Sequence, residues 1–399
     1  GLIIGLYLIL GFLVSIPFYM SNFQITFTNA YFESISGLTG TGFTIFNNLK
    51  YLDPTLILWR SSSQWIGGLY FLIFLILVFS NSGFNYKMTN LTYCGDNNSK
   101  SKDNIQNNIL KIFLIYCASS LILITLFNIS GIRLFNSLNL TMSLISNGGY
   151  LPSDNLSEII VTNLQKIVLI FSLILSMLNF YLIFNIYNKK ILQKNHNEDF
   201  YLIGLSLFFI LTVYFNNFDG FDIIISVVSS LANSGITLLE EKNNLSLYFL
   251  LLTIIGGSLV SNSSGIKFSR FYILLKITSS EIFKLISPNS VINKTIFNSE
   301  SKITDENIKI SFLIFISFFI SLFILSSFLV LDEIGFERSF KLSILTLTNT
   351  VNSEMYGLEK LEFNSLLLSS KISLISFMII GKIELISILL IFKKLLFKD

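Results

Sequence analysis

The chain predicts an all-α membrane protein made of four parallel copies of one unit, span, half-helix, span, set around a pseudo-fourfold pore axis. Three observations carry that expectation. Hydrophobic residues are 52% of the 399 and charged ones 13%, with a mean hydropathy of +0.69, too apolar a balance for a soluble chain of this length. Eight apolar runs, at 2–20, 56–79, 109–127, 167–186, 201–215, 247–260, 310–331 and 366–397, are mostly long enough to cross about 30 Å of hydrocarbon as helices. Between alternate pairs of runs a semi-apolar stretch too short to span ends in a cluster of small residues, four times over.

In chain order, the first repeat occupies 1–80 and holds "NAYFESISGLTGTGF" between its two spans. A polar, basic connection at 81–105 precedes the second repeat, 106–190, with "LNLTMSLISNGGY". The third repeat, 199–279, carries "DIIISVVSSLANSGI", and its second span is interrupted by "GGSLVSNSSG". A second basic connection at 280–307 leads to the fourth repeat, 308–397, with "FKLSILTLTNTVNSEM". A semi-apolar segment of roughly ten to fourteen residues at membrane depth reads as a re-entrant half-helix. The irregular backbone after it is tolerated only where it lines a watery path or is buried in protein. About eight transmembrane helices and four pore loops result.

Lysine and arginine collect in alternate connections, from Lys87, Lys100 and Lys102 through Lys189, Lys190 and Lys194, then Lys267, Arg270, Lys276, Lys284, Lys294, Lys302 and Lys309, to the tail with Lys393, Lys394 and Lys398. Those connections are expected in the cytoplasm. The others carry acidic residues, among them Glu33, Asp154, Glu158, Asp222, Glu240, Glu337 and Glu359, and read as an outward vestibule that concentrates cations. His196, the only histidine, lies in the charged stretch "YNKKILQKNHNEDF" and reads as a solvated connection; Cys94 and Cys117 read as a solvated thiol and a small core residue. One histidine and two cysteines leave no triad, no metal cluster and no disulfide framework, and there is no Gly-rich phosphate loop. The chain is therefore not expected to be an enzyme, and no covalent cofactor or nucleic-acid partner is implied. A lipid-linked transferase, the alternative from another class, lacks the histidines and acidic motifs such chemistry needs.

Four loops of parallel repeats placed around one axis can offer backbone carbonyls that replace a cation's hydration shell. The candidate filter is Thr39, Gly40, Thr41 and Gly42 in the first loop, Ser146, Asn147, Gly148 and Gly149 in the second, Asn233, Ser234 and Gly235 in the third, and Thr350, Val351 and Asn352 in the fourth.

Several motifs, in order, resemble those of the Trk/Ktr/HKT superfamily of potassium transporters, and within it the Trk-type membrane subunit. "ESISGLTGTGFT" is similar to the first pore loop, with Gly40 for the middle threonine, and "LWRSSSQWIGGLYFLIF" resembles the L-W-R-x-x-x-Q-W-I-G-G motif of the following span. "IIGGSLVSNSSGIKFSRF" resembles the broken span of the third repeat, and "MIIGKIELISILLIF" the L-x-G-R-L-E motif of the last, with Lys382 for arginine. The resemblance implies a multi-pass protein of the bacterial cytoplasmic (inner) membrane that takes up K+, the transported ion at the filter residues. It implies a homodimer in the lipid bilayer docked on a cytoplasmic nucleotide-binding regulatory subunit. It makes the break, with Gly256, Gly257, Ser261, Asn262, Ser263, Ser264 and Gly265, an intramembrane gate, and Lys382 a pore-lining charge. Arg60 and Gln64, at i and i+4 on one helix face, read as braces. Two departures stand out. The chain begins without methionine inside the first repeat, where Trk-type subunits have two further spans, which implies a missing segment or a short form. The fourth loop has Asn352 where the family motif N-N-V-G-P-G has its glycine, which keeps open a sodium-permeable or poorly selective pore, or a non-conducting scaffold.

Overall fold

A computed structural model describes residues 2–80, 102–187, 196–214, 220–238, 245–287, 295, 297, 303–358 and 361–383. The described residues form fourteen α-helices. They are α1 (Leu2–Tyr19), α2 (Phe27–Thr39), α3 (Pro54–Ser80), α4 (Lys102–Ile129), α5 (Leu134–Ile145), α6 (Asn163–Met177) and α7 (Phe180–Tyr187). There follow α8 (Asn197–Tyr214), α9 (Gly220–Ala232), α10 (Ser246–Ile255), α11 (Phe268–Ile286), α12 (Asp305–Leu331), α13 (Phe336–Leu347) and α14 (Leu368–Ile383). The half-helices are α2, α5, α9 and α13. At 12 or 13 residues each reaches only about 20 Å, too short to cross.

Every half-helix packs on the opening and closing spans of its own repeat and on the closing span of the repeat before it. In that last set α3 meets α5, α6 meets α9, α10 meets α13, and α14 returns to α2. The final contact closes the four units into a ring. Opening spans lie outside and turn apolar side chains such as Phe12, Leu121, Phe208 and Phe323 away from the protein. Among the described residues α8, α12 and the stretch 106–129 of α4 are long and apolar enough to cross a membrane by length and composition alone. The protein is an integral membrane protein.

The run 167–186, read above as one continuous span, is broken. At Leu178–Asn179 the chain leaves α6, and the Asn179 side chain accepts from Tyr181 N at 2.9 Å, capping α7. The closing spans of both the second and third repeats are therefore interrupted, and the two breaks bond to each other. Ser258 N donates to Met177 O at 2.9 Å and Phe180 N to Val260 O at 3.1 Å. The expected connection 81–105 falls largely outside the described residues, with α4 beginning inside it; of 280–307 about half is described, α11 running into it and α12 beginning at Asp305. Cys94, Lys87, Lys100, the lysines at 189, 190, 194, 294, 302, 393, 394 and 398, and the acids Asp219, Glu240, Glu241, Glu359 and Glu384 also lie outside them.

Candidate functional site

Each half-helix ends in the same hydrogen-bond pattern, which fixes the register of the four loops. Gly40 N donates to Gly37 O and Thr41 N to Ser36 O, both at 2.9 Å. Asn147, Asn233 and Asn349 repeat the first bond, to Leu144, Ser230 and Thr346, at 3.1–3.2 Å. Gly148, Ser234 and Thr350 repeat the second, to Ser143, Ser229 and Leu345, at 2.8, 3.0 and 2.9 Å. The four leading residues all take left-handed φ, between 49° and 73°. Glycine and asparagine are the residues that end helices this way at least strain.

Two steps on, Gly42, Gly149 and Gly235 are left-handed again, at φ 75°, 74° and 68°. The residue in the same register of the fourth repeat is Val351, which is not left-handed. The sequence expectation put Asn352 in place of the fourth glycine; the helix-end bonds set it one residue beyond. They also bring in Asn349, absent from the expected filter set, as the partner of Asn147 and Asn233.

The loops abut in rotational order. The Cα hydrogen face of Gly42 meets Gly148 O, that of Gly149 meets Ser234 O, and that of Gly235 meets Val351 O. Asn349 Nδ2 donates across the seam to Thr41 Oγ1 at 3.0 Å, so the first and last repeats join. Hydroxyl pairs Thr39–Thr41 (2.8 Å) and Thr348–Thr350 (2.9 Å) stiffen those two loops. The three left-handed asparagines also hold their loops to the closing spans, donating to Ser176 O (3.3 Å), Thr253 O (2.8 Å) and Met378 O (2.9 Å). In the first repeat the side-chain-less Gly40 makes no such clasp.

Gln64 on α3 reaches the next repeat, donating to Gly148 O at 2.6 Å and accepting from Tyr150 N at 3.2 Å. Arg60 donates to Glu33 Oε1 at 2.8 Å and to Thr44 Oγ1 at 3.0 Å, and lies 4.2 Å from the Tyr150 ring centre. Glu33 is buried and also accepts from Ile45 N at 2.8 Å, so it is a structural anchor and not part of an outward vestibule. Other acids of that expected vestibule are paired. Glu158 meets Lys50 at 3.0 Å, Asp222 meets Lys166 at 2.8 Å, and Glu337 meets Lys341 at 2.7 Å. The hydroxyls of Ser369 and Ser370 hold the Asp332 carboxyl below the usual carboxylate range.

Beneath the ring the break between α10 and α11 is folded into the protein. Gly256 and Gly265 bound it, both left-handed. Gly257 N donates to Ser263 Oγ at 3.0 Å, the Ser261 and Ser263 hydroxyls lie 2.7 Å apart, and Ser264 is buried. Asn262 Nδ2 donates to Ile145 O at the end of α5 (2.8 Å), and Lys382 Nζ donates to Asn262 O (2.9 Å). That ammonium also lies 4.7 Å from the Phe71 ring centre. Lys267, expected in a wet basic connection, is buried inside the loop and donates to Ser258 O, Ser261 O and Ser263 O. Arg270 is buried likewise. His196, expected to be solvated, is 1% exposed, 3.2 Å from Asp199 Oδ2 and 2.7 Å from Asn185 Nδ2. Beside it, Glu198 accepts from Leu259 N of the break at 3.0 Å. Among the described residues no three His, Cys, Asp or Glu side chains gather as a metal group. The oxygens at the ring belong to backbone carbonyls, to hydroxyls and to the side-chain amides of Asn147, Asn233 and Asn349.

No family model matches the chain. It is 29% identical over 336 residues to an uncharacterised cation transporter of Methanocaldococcus jannaschii, covering 81% of this chain and 67% of the relative. It is 24% identical over 353 residues to the Trk system potassium uptake protein TrkG of Escherichia coli, covering 84% and 72%. With TrkH of Salmonella typhimurium it shares 26% over 304 residues, 71% of this chain but only 62% of the relative's length. The crystal structure of the potassium transporter TrkH from Vibrio parahaemolyticus superposes with a TM-score of 0.85 at 20% identity, covering 97% of this chain and 83% of that one. Over most of its length the chain is similar in sequence to Trk-type membrane subunits, and over nearly all of it the fold is that of the TrkH structure.

Proposed function

We propose that the protein takes up potassium through a channel-like pore on the axis of its four loops. One observation carries this reading: four half-helices stop with one hydrogen-bond register around a closed ring. Helix C-termini present the negative end of the backbone dipole, and four aimed at one point favour a cation there. Carbonyls at that point stand in for water as the ion sheds its shell. No covalent step is needed. The loop from Gly256 to Gly265 is the gate, because it fills the space under the ring and is tied to the end of α5 through Asn262. Lys382 bonds that loop and sets a positive charge at the inner mouth. The working form is proposed to be a homodimer in the bacterial inner membrane, docked on a cytoplasmic nucleotide-binding regulatory subunit; this rests on the motif resemblance, the relatives' names giving a Trk system and potassium uptake alone.

A second reading, a pore that also passes sodium, is favoured by the fourth loop, where a valine stands in register with three glycines. The test is rubidium tracer uptake and growth at low potassium in cells stripped of their own uptake systems. The complete protein, produced with its regulatory partner, is expected to restore both. Membrane-inserted protein with neither activity would end the transport reading, and equal sodium uptake would favour the second.

A further inference from the structure

We propose that the Val351 side chain lies on the ion path as an apolar constriction at the level of the filter glycines, and that it limits both flux and discrimination; this rests on the transport reading above. The geometry is triangulated from three repeats. A Cβ built on Gly42 would lie 2.9 Å from Val351 Cγ2 and 3.1 Å from its Cβ. One built on Gly149 would lie 2.9 Å from Val351 Cβ and 3.0 Å from Cγ1, and one on Gly235 2.7 Å from Cγ1. Three glycines from three units arranged in rotation converge on one isopropyl group only if that group sits at their common centre.

The cause is local. A left-handed backbone costs a residue with a Cβ roughly 1–2 kcal/mol, and a β-branched one is a genuine outlier there. Val351 stays out of that region. The fourth quarter therefore does not follow the backbone path of the other three, and the space their absent side chains leave holds its isopropyl group. A cation at this level meets the isopropyl group on that side where water would stand, the condition under which a constriction gates by dewetting. Thr350 Oγ1, one residue earlier, is engaged with Thr348. Asn352, one residue later, is out of register.

The experiment compares rubidium and sodium uptake by the complete protein, with its regulatory partner, as parent, Val351→Gly, Val351→Ala, Val351→Thr and Val351→Leu. Val351→Gly and Val351→Ala are expected to raise rubidium flux about tenfold, and Val351→Leu to abolish it. Val351→Thr keeps the volume and adds a hydroxyl, so a rise there, with folding undisturbed, isolates polarity from size. Val351→Gly is also expected to raise the rubidium-to-sodium ratio. A conducting parent whose flux and ratio stay within about twofold across the glycine, alanine and threonine variants overturns the constriction and leaves the transport reading standing. Absence of flux in the parent and in every well-folded variant overturns both.

Discussion

Arg60 and Glu33 meet at 2.8 Å with almost no solvent around either, and each is the reason the other is tolerated in the interior. Removing one member of a buried pair strands a charge and costs roughly 3–5 kcal/mol, whereas replacing both with apolar groups is often neutral. Glu33→Gln is thus expected to lower the thermal unfolding midpoint in detergent markedly, and an Arg60→Met, Glu33→Leu double variant to recover much of it. Coincident melting of parent and Glu33→Gln would show that the pair carries no structural load. Asn352 supplies a contrast at the same scale. Since it lies past the ring, Asn352→Gly is expected to leave the potassium-to-sodium permeability ratio within about twofold of the parent. A sharpened ratio would restore it to the filter. The register was legible in the chain itself: S-N-G-G, A-N-S-G and T-N-T-V align on their asparagines and put Val351 under the glycines. Matching the fourth loop to a family motif displaced it by one, because that match aligned Asn352 with the motif's glycine instead of aligning Asn349 with the asparagines that end the other half-helices.

Among elements, the two broken closing spans differ in how openly the sequence marks them. Consecutive small polar residues announce the break from Gly256 to Gly265. The break at Leu178–Asn179 lies in a mostly apolar run whose polar residues, Ser172, Ser176, Asn179 and Asn185, are scattered rather than consecutive, and of these Asn179 is the one placed to cap a helix start. Burial was equally hidden for Lys267 and His196. A lysine in "SSGIKFSR" reads as a wet basic residue until three carbonyls fold around its ammonium. Deleting Val260 to Ser263 removes the bonds to Phe180 and Ile145 together. The expected outcome is a severalfold rise in cation uptake with weaker dependence on the regulatory partner. Unaltered uptake and unaltered dependence would make the segment a packed kink.

For the whole molecule, the alternation of basic and acidic connections predicts that the starts of the half-helices face outward. In a background lacking Cys94 and Cys117, Tyr51→Cys is expected to react with an impermeant thiol reagent applied outside intact cells, and Leu285→Cys only after lysis. Both positions are well exposed, at 78% and 84%. The reverse pattern would invert the topology. The fourfold plan was readable because span lengths and the four small-residue breaks survive in composition. The cyclic packing, α14 returning to α2, was not, since it depends on which face each helix offers its neighbours.

That seam also has a history in time. Asn349 and Thr41, which bond across it, are 308 residues apart. At a synthesis rate of about 5–20 residues per second, Thr41 waits roughly 15–60 s in the membrane before its partner leaves the ribosome. Throughout that interval three quarters of the circle exist without the fourth, so the ring closes only after α13 has been made, and a chain arrested before α13 is inserted never closes it.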